Sequence, residues 1–113
     1  MTEHTTVGID IAKETFDVFI SPDGIFLHLD NTPQGHQLLL DALSSRAVAR
    51  IVMEATGRYH NLLAATLELA GLPVAVVNPA QVKHFARALG TLFKTDPNDA
   101  RIICEFGRRM TPD

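Results

Sequence analysis

A chain of 113 residues, 46% hydrophobic and with a formal net charge of −3, has the size of one domain, and no run in it approaches the roughly 20 apolar residues of a membrane span. Its single cysteine, Cys104, has no partner for an internal disulfide or a cysteine zinc site, and MTEHTTVGID lacks the basic start and apolar stretch of a secretory signal. The expectation is a cytoplasmic protein with no membrane partner, and the acidic average excludes a generic basic nucleic-acid binder.

The charge is uneven along the chain. Residues 1–78 hold four Lys and Arg against nine Asp and Glu, whereas residues 79–113 hold six against four. Lys83, Arg87, Lys94, Arg101, Arg108 and Arg109 therefore form either a solvated helical face or a local phosphate-binding patch, since screening makes the nearby field decisive.

In chain order, TTVGIDIA alternates Val7, Ile9 and Ile11 against Gly8, Asp10 and Ala12, a period-two strand that contains a carboxylate. Lys13-Glu14 reads as a turn. TFDVFISP repeats the alternation up to the turn signal Pro22-Asp23-Gly24, and GIFLHLDN makes a third strand, so residues 5–31 read as an antiparallel meander. Asn31 or Thr32 can cap a helix begun by Pro33, with Leu38, Leu39, Ala42 and Leu43 as its expected buried stripe. ARIVMEAT is a short apolar run suited to a central strand, with Thr56-Gly57 as its exit turn. A second helix carries Leu62, Leu63, Ala65, Thr66, Leu69 and Ala70 at helical spacing and stops at Gly71. LPVAVVNP is a fifth strand, followed by helices in AQVKHFARAL and, after a break at Gly90, DPNDARIICEFGRR. Three strands in series and then alternating helices and strands predict an α/β fold: a mixed five-stranded sheet with helices on both faces.

Four acids carry the candidate chemistry. Asp10 lies between Ile9 and Ile11, where Asp is disfavoured and an ionised group loses hydration unless it bonds backbone amides, pairs with Lys13 or meets a metal. Glu54 stands similarly at the end of IVMEATG. In KTDPNDARII, Pro97 suits the first helical position, making Asp96 an N-cap and Asp99 the third helical residue. Capping alone explains that pair and is worth about 0.5–2 kcal/mol. Residues three apart also share a helix face, so the two can converge with Asp10 and Glu54 into a four-carboxylate cluster. Such a cluster holds extra protons when bare and suits Mg²⁺, which takes oxygen ligands and, in pairs, activates the attacking and leaving oxygens of a phosphodiester.

The three motifs GIDIAKETFDV, VMEATGRYH and VNPAQVKHFARALGTLFKTDPNDARII resemble the N-terminal domain of the DEDD-type insertion-sequence transposases, whose relatives include the pilin-gene invertase. The resemblance covers residues 5–109 and implies a ribonuclease H-like domain over residues 1–113, similar to the Holliday-junction resolvases. It implies a DNA transposase or site-specific recombinase acting by metal-dependent phosphoryl transfer, with Asp10, Glu54, Asp96 and Asp99 as the catalytic tetrad that binds Mg²⁺, for which Mn²⁺ substitutes. It implies DNA as partner, a guide RNA, and a homo-oligomer in the full-length protein. Family members continue into a second domain bearing a serine that attacks DNA. The chain ends at Asp113, and Ser21, Ser44 and Ser45 lie outside the matched motifs, so the expectation is a fragment inactive alone.

Around the tetrad, Lys94 and Arg101 are expected near phosphates, with Lys83, Arg87, Arg108 and Arg109 as a wider basic surface. Phe85 is expected in the core; His60 is either a surface residue or one that approaches substrate. Two other readings share this fold. A sugar-kinase or actin-type ATPase needs a Gly-Thr phosphate turn after the first-strand acid, where this chain has Ile11-Ala12-Lys13-Glu14. A non-catalytic binding or dimerisation module would use the acids as caps and strand-end pairs.

Overall fold

The computed structural model describes residues 4–89 and 99–110. Their elements are β1 (Thr5–Ile11), β2 (Thr15–Ser21), β3 (Ile25–Asp30), α1 (Pro33–Leu43), β4 (Val48–Glu54), α2 (Asn61–Leu69), β5 (Val74–Val77), α3 (Pro79–Leu89) and α4 (Asp99–Met110). The sheet order is β3-β2-β1-β4-β5. β1 pairs antiparallel with β2 and β2 with β3, while β4 runs parallel to both β1 and β5. This is the expected mixed sheet, and short turns versus helical crossovers explain the switch: antiparallel neighbours need only a turn, parallel ones need a connection such as a helix.

Alternation divides the strands between two cores. Val7, Ile9, Ile11, Phe16, Val18, Ile20, Ile51 and Met53 turn to one face, where Leu39 and Leu43 of α1 and Leu63, Ala64 and Leu67 of α2 cover them. Val52 and Val77 turn to the other, against Val82 and Phe85 of α3 and Ile103 and Phe106 of α4. Phe85 is core, as expected, and stacks edge-on against Phe106 with ring centroids 5.5 Å apart.

The helix stripes differ from expectation. Leu38, Leu62 and Leu69 are exposed, the last by 89%, whereas His36, Ala64 and Leu67 are buried. Leu39, Leu43 and Leu63 are buried as expected, so the inward stripes overlap the expected ones and are shifted at their margins, where position relative to the sheet decides which apolar residues face inward. Thr32 is the cap of α1, its hydroxyl accepting from Gly35 N at 3.1 Å. The exit turn after β4 does place Gly57 at φ 67°, a conformation that costs glycine little.

α4 lies directly on β1. A Cβ on Gly8 would stand 2.3 Å from both Ala100 O and Cys104 N, and one on Gly107 would stand 2.4 Å from a Val52 methyl, so two hydrogens in place of side chains set the helix-to-sheet distance. Cys104 Sγ donates to Thr6 O at 3.3 Å, and Arg50 Nη1 donates to Gly107 O at 2.7 Å. The buried Cys104 thiol is pushed up to about 12 by burial and, next, by Glu105; it is packing material rather than a nucleophile.

Candidate metal centre

Three of the four predicted acids come from three different elements and lie near one another at the ends of the interior strands β1 and β4. Asp10 is the penultimate residue of β1 and Glu54 the last of β4. Because Ile9 pairs with Met53 in parallel register, the next rung brings Asp10 and Glu54 side by side on strands about 4.8 Å apart. Both belong to the face that α4 covers, since they follow Gly8 and Val52 by two residues. α4 then begins at Asp99, one residue before the Ala100 carbonyl that rests on Gly8. Asp96 and Lys94 lie outside the described residues.

Electrostatics reports the convergence. The Asp10 carboxyl is held above its ordinary value by burial first, then by the charges of Asp99 and Asp17. Burial likewise raises Glu54, followed by Asp10 and Asp99, while the Lys83 ammonium pulls it back. Asp10 and Glu54 are thus disfavoured as anions at half-buried positions by the acids around them, where a strand-end role would give each its own partner. Among the described residues, no three His, Cys, Asp or Glu side chains close around a single point; Asp10, Glu54 and Asp99 are neighbours in charge without being drawn together.

A cleft of about 160 Å³ opens beside them, lined by Glu54, Val82, Lys83, Ala86, Asp99 and Ile102. Lys83, expected in the outer basic surface, is therefore a wall of the carboxylate site. Arg101 is exposed two residues after Asp99, and Arg87 is exposed in the last turn of α3. Arg108 and Arg109 sit about 14 Å along α4 from Asp99 and bond Glu105 at 2.5 and 3.2 Å, so they are outlying and partly neutralised. His60 is occupied locally: its Nδ1 accepts from Thr56 N at 3.1 Å and steadies the turn that follows Glu54.

Asn31 has a role that the sequence reading left as one of two possible caps. Its Nδ2 donates to Ala12 O at 3.2 Å and to Tyr59 O at 3.1 Å, tying the chain just after Asp10 to the loop just after Glu54. That leaves Oδ1 to accept from His36 Nε2 at 2.7 Å. His36 is 2% exposed and burial lowers its pKa, keeping the ring neutral. The signal for His36 was its helical phase with Leu39 and Leu43; nothing local distinguished Asn31.

A sheet of order 3-2-1-4-5 with acids at the ends of its first and fourth strands and at the start of the last helix defines a ribonuclease H-like domain. Consistent with this, the T. thermophilus RuvC structure in complex with Holliday junction substrate matches with a TM-score of 0.68 over 96% of both chains, at 18% identity. The IS110-type DEDD transposase family, described as transposases, matches residues 7–113. The pilin gene-inverting proteins of Moraxella bovis and Moraxella lacunata are each 31% identical to the chain, over 114 and 120 residues. The chain belongs to this DEDD transposase family. Each of these alignments takes in 96% of the chain and 35% of the relative, so the chain spans about a third of the length of these curated relatives. No helix among the described residues is long and apolar enough to cross a membrane.

Proposed function

We propose that this chain is the metal-binding catalytic domain of a DNA recombinase, which cleaves and joins strands through Asp10, Glu54, Asp96 and Asp99. The observation that carries the reading is that Asp10 and Glu54, half-buried on adjacent strands, both have their carboxyls raised by burial and then by neighbouring acids, Asp99 among them: an all-oxygen set with excess negative charge fits a hard divalent cation, Mg²⁺ or Mn²⁺. Bound there, the cation would supply Lewis-acid stabilisation of a phosphodiester and a more acidic attacking oxygen. The chain's own residues do the rest. Gly8 seats α4 so that Asp99 stays beside Asp10, Asn31 fixes the separation of the strand exits, and Lys83 offers a cation on the Glu54 side of the cleft. Arg101 follows on the same helix, exposed two residues after Asp99.

DNA as substrate, a guide RNA, homo-oligomeric assembly and a cytoplasmic location belong to this proposal and rest on family membership. So does the need for a further, serine-bearing domain to complete recombination, with the chain inactive by itself.

Thermal unfolding of the wild-type chain, Asp10→Asn and Asp99→Asn against Mn²⁺ tests the site. At 100 times its dissociation constant the ion adds about 2.7 kcal/mol, several degrees in a domain of this size, and each substitution removes the gain. A wild-type chain indifferent to Mn²⁺ and Mg²⁺ would instead make this a non-catalytic binding module.

A further inference from the structure

The β2–β3 end of the sheet face on which Asp10 stands carries two aromatic rings. Register places Asp10, Asp17 and His28 on one rung and Gly8, Phe19 and Phe26 on the next rung of that face. The Phe19 and Phe26 rings meet edge to face with centroids 5.8 Å apart. Phe26 is 45% exposed, on a strand where a buried position would have been available one residue away at Leu27, which packs against the other core. His28 and Asp17, joined by a short contact, lie between these rings and the carboxylates. Strand geometry puts the Phe19 and Phe26 backbones about 8 and 12 Å from that of Asp10.

α4 walls this floor. It lies against β2 as well as β1 and β4. Its Ile102, Ile103 and Phe106 belong to the core shared with α3, while Ala100, Cys104 and Gly107 meet the sheet. Helical phase then turns Arg101, Glu105 and Arg108 to the remaining flank, the one beside β2, where Glu105 accepts from Arg108. An aromatic floor, a flank carrying the exposed Arg101 and a net positive charge, and carboxylates at one end are the components of a channel for unpaired nucleic acid: rings stack on bases whatever the sequence, and cations follow the backbone. A duplex, whose bases are stacked on each other, has no use for such rings.

We infer that Phe19 and Phe26 form a base-stacking subsite for the unpaired DNA strand next to the phosphodiester at Asp10, with Arg101 along its backbone. The inference rests on the proposed function and names the form of DNA that the site takes: locally unpaired rather than fully duplex.

The test is fluorescence anisotropy of the 113-residue chain with a labelled oligothymidylate and, separately, a labelled blunt duplex, for wild type, Phe26→Ala, Phe26→Leu and Phe26→Trp. Losing one stacking ring weakens oligothymidylate binding by about 5- to 100-fold in Phe26→Ala, and Phe26→Leu, which keeps apolar bulk, stays weak. Phe26→Trp binds at least as well as wild type, and the duplex affinity is unchanged throughout. No binding of oligothymidylate by wild type, or equal binding by all four proteins, overturns the subsite. Preference for oligouridylate overturns its assignment to DNA. A dimer in sedimentation equilibrium that Phe26→Ala dissociates makes the patch a contact between copies instead. The Mn²⁺ response is read on the same proteins: a stacking defect with that response intact in Phe26→Ala supports the subsite, loss of the response in wild type sinks the metal centre alone, and a missing defect beside an intact response sinks the subsite alone.

Discussion

The two faces of the sheet are built from the same five strands yet are covered at different distances. The face under α1 and α2 is filled with large aliphatic and aromatic side chains, among them Ile9, Phe16, Leu39, Ile51, Met53 and Leu63, each nearly inaccessible. The face under α3 and α4 has a smaller core of Val52, Val77, Val82, Phe85, Ile103 and Phe106, glycines at Gly8 and Gly107 where α4 crosses the sheet, and carboxylates at the strand ends. Stability is concentrated where side chains are large. Where they are small, a helix backbone comes close enough to bring Asp99 to the strand ends, at the cost of burying less apolar surface. The single residue step from Met53 to Glu54 crosses from one regime to the other.

Substitutions on the two faces should separate these roles. The largest effect is expected of Gly8→Val, whose first added carbon collides with backbone atoms of Ala100 and Cys104 rather than with any side chain that can swing aside. Cooperative urea unfolding followed by circular dichroism should be lost; a stable Gly8→Val would break the claim that backbone approach positions α4. Next, Met53→Ala leaves a cavity in the opposite core and should cost about 2–5 kcal/mol in urea while the folded fraction keeps its Mn²⁺ stabilisation, because its neighbour Glu54 faces the other way. A Met53→Ala protein that folds but no longer responds to Mn²⁺ would show that the faces are not independent.

The smallest effect is a gain. Asp10 has its folded-state pKa raised from the model-compound value of 3.8 by burial, Asp99 and Asp17, so its ionised form opposes folding above the folded-state pKa. That opposition fades as pH falls through the raised value and is gone below 3.8. Without metal, Asp10→Asn should therefore melt slightly higher than wild type at neutral pH, and the two should converge as pH is lowered towards 4. A constant difference across that range, or a lower melting temperature for Asp10→Asn at pH 7, would contradict the charge opposition on which the metal centre is argued.

The comparison also explains what could be read from the residues alone. All five strands were legible because each alternates strictly or is bounded by strong turn signals, and the order of elements led to the sheet. The acids Asp10, Glu54 and Asp99 were legible because a carboxylate at the end of an apolar strand, or at a helix start, stands out against its neighbours. The inward faces of α1 and α2 were legible only in part, through Leu39, Leu43 and Leu63. Each is rich enough in leucine to offer two stripes, and only the docked sheet selects the one with His36 or Leu67 over the one with Leu38 or Leu69. Lys83 was under-rated for a related reason: an exposed lysine on an amphipathic helix carries no mark of what lies across the cleft, and its place beside Glu54 depends on how α3 lies against α4. The Phe19–Phe26 pair needs strand register, which a meander with two turns fixes only in three dimensions. Asp96 and Lys94 fall outside the described residues.

The amide of Asn31 joins the two strand exits on one side and the His36 ring on the other. Any event that changes the spacing of Asp10 and Glu54 must then shift a hydrogen bond at an imidazole that solvent hardly reaches. His36 is thereby a built-in spectroscopic window: a single buried ring whose nuclear resonance registers the state of the carboxylate-bearing strand ends from the far side of the sheet.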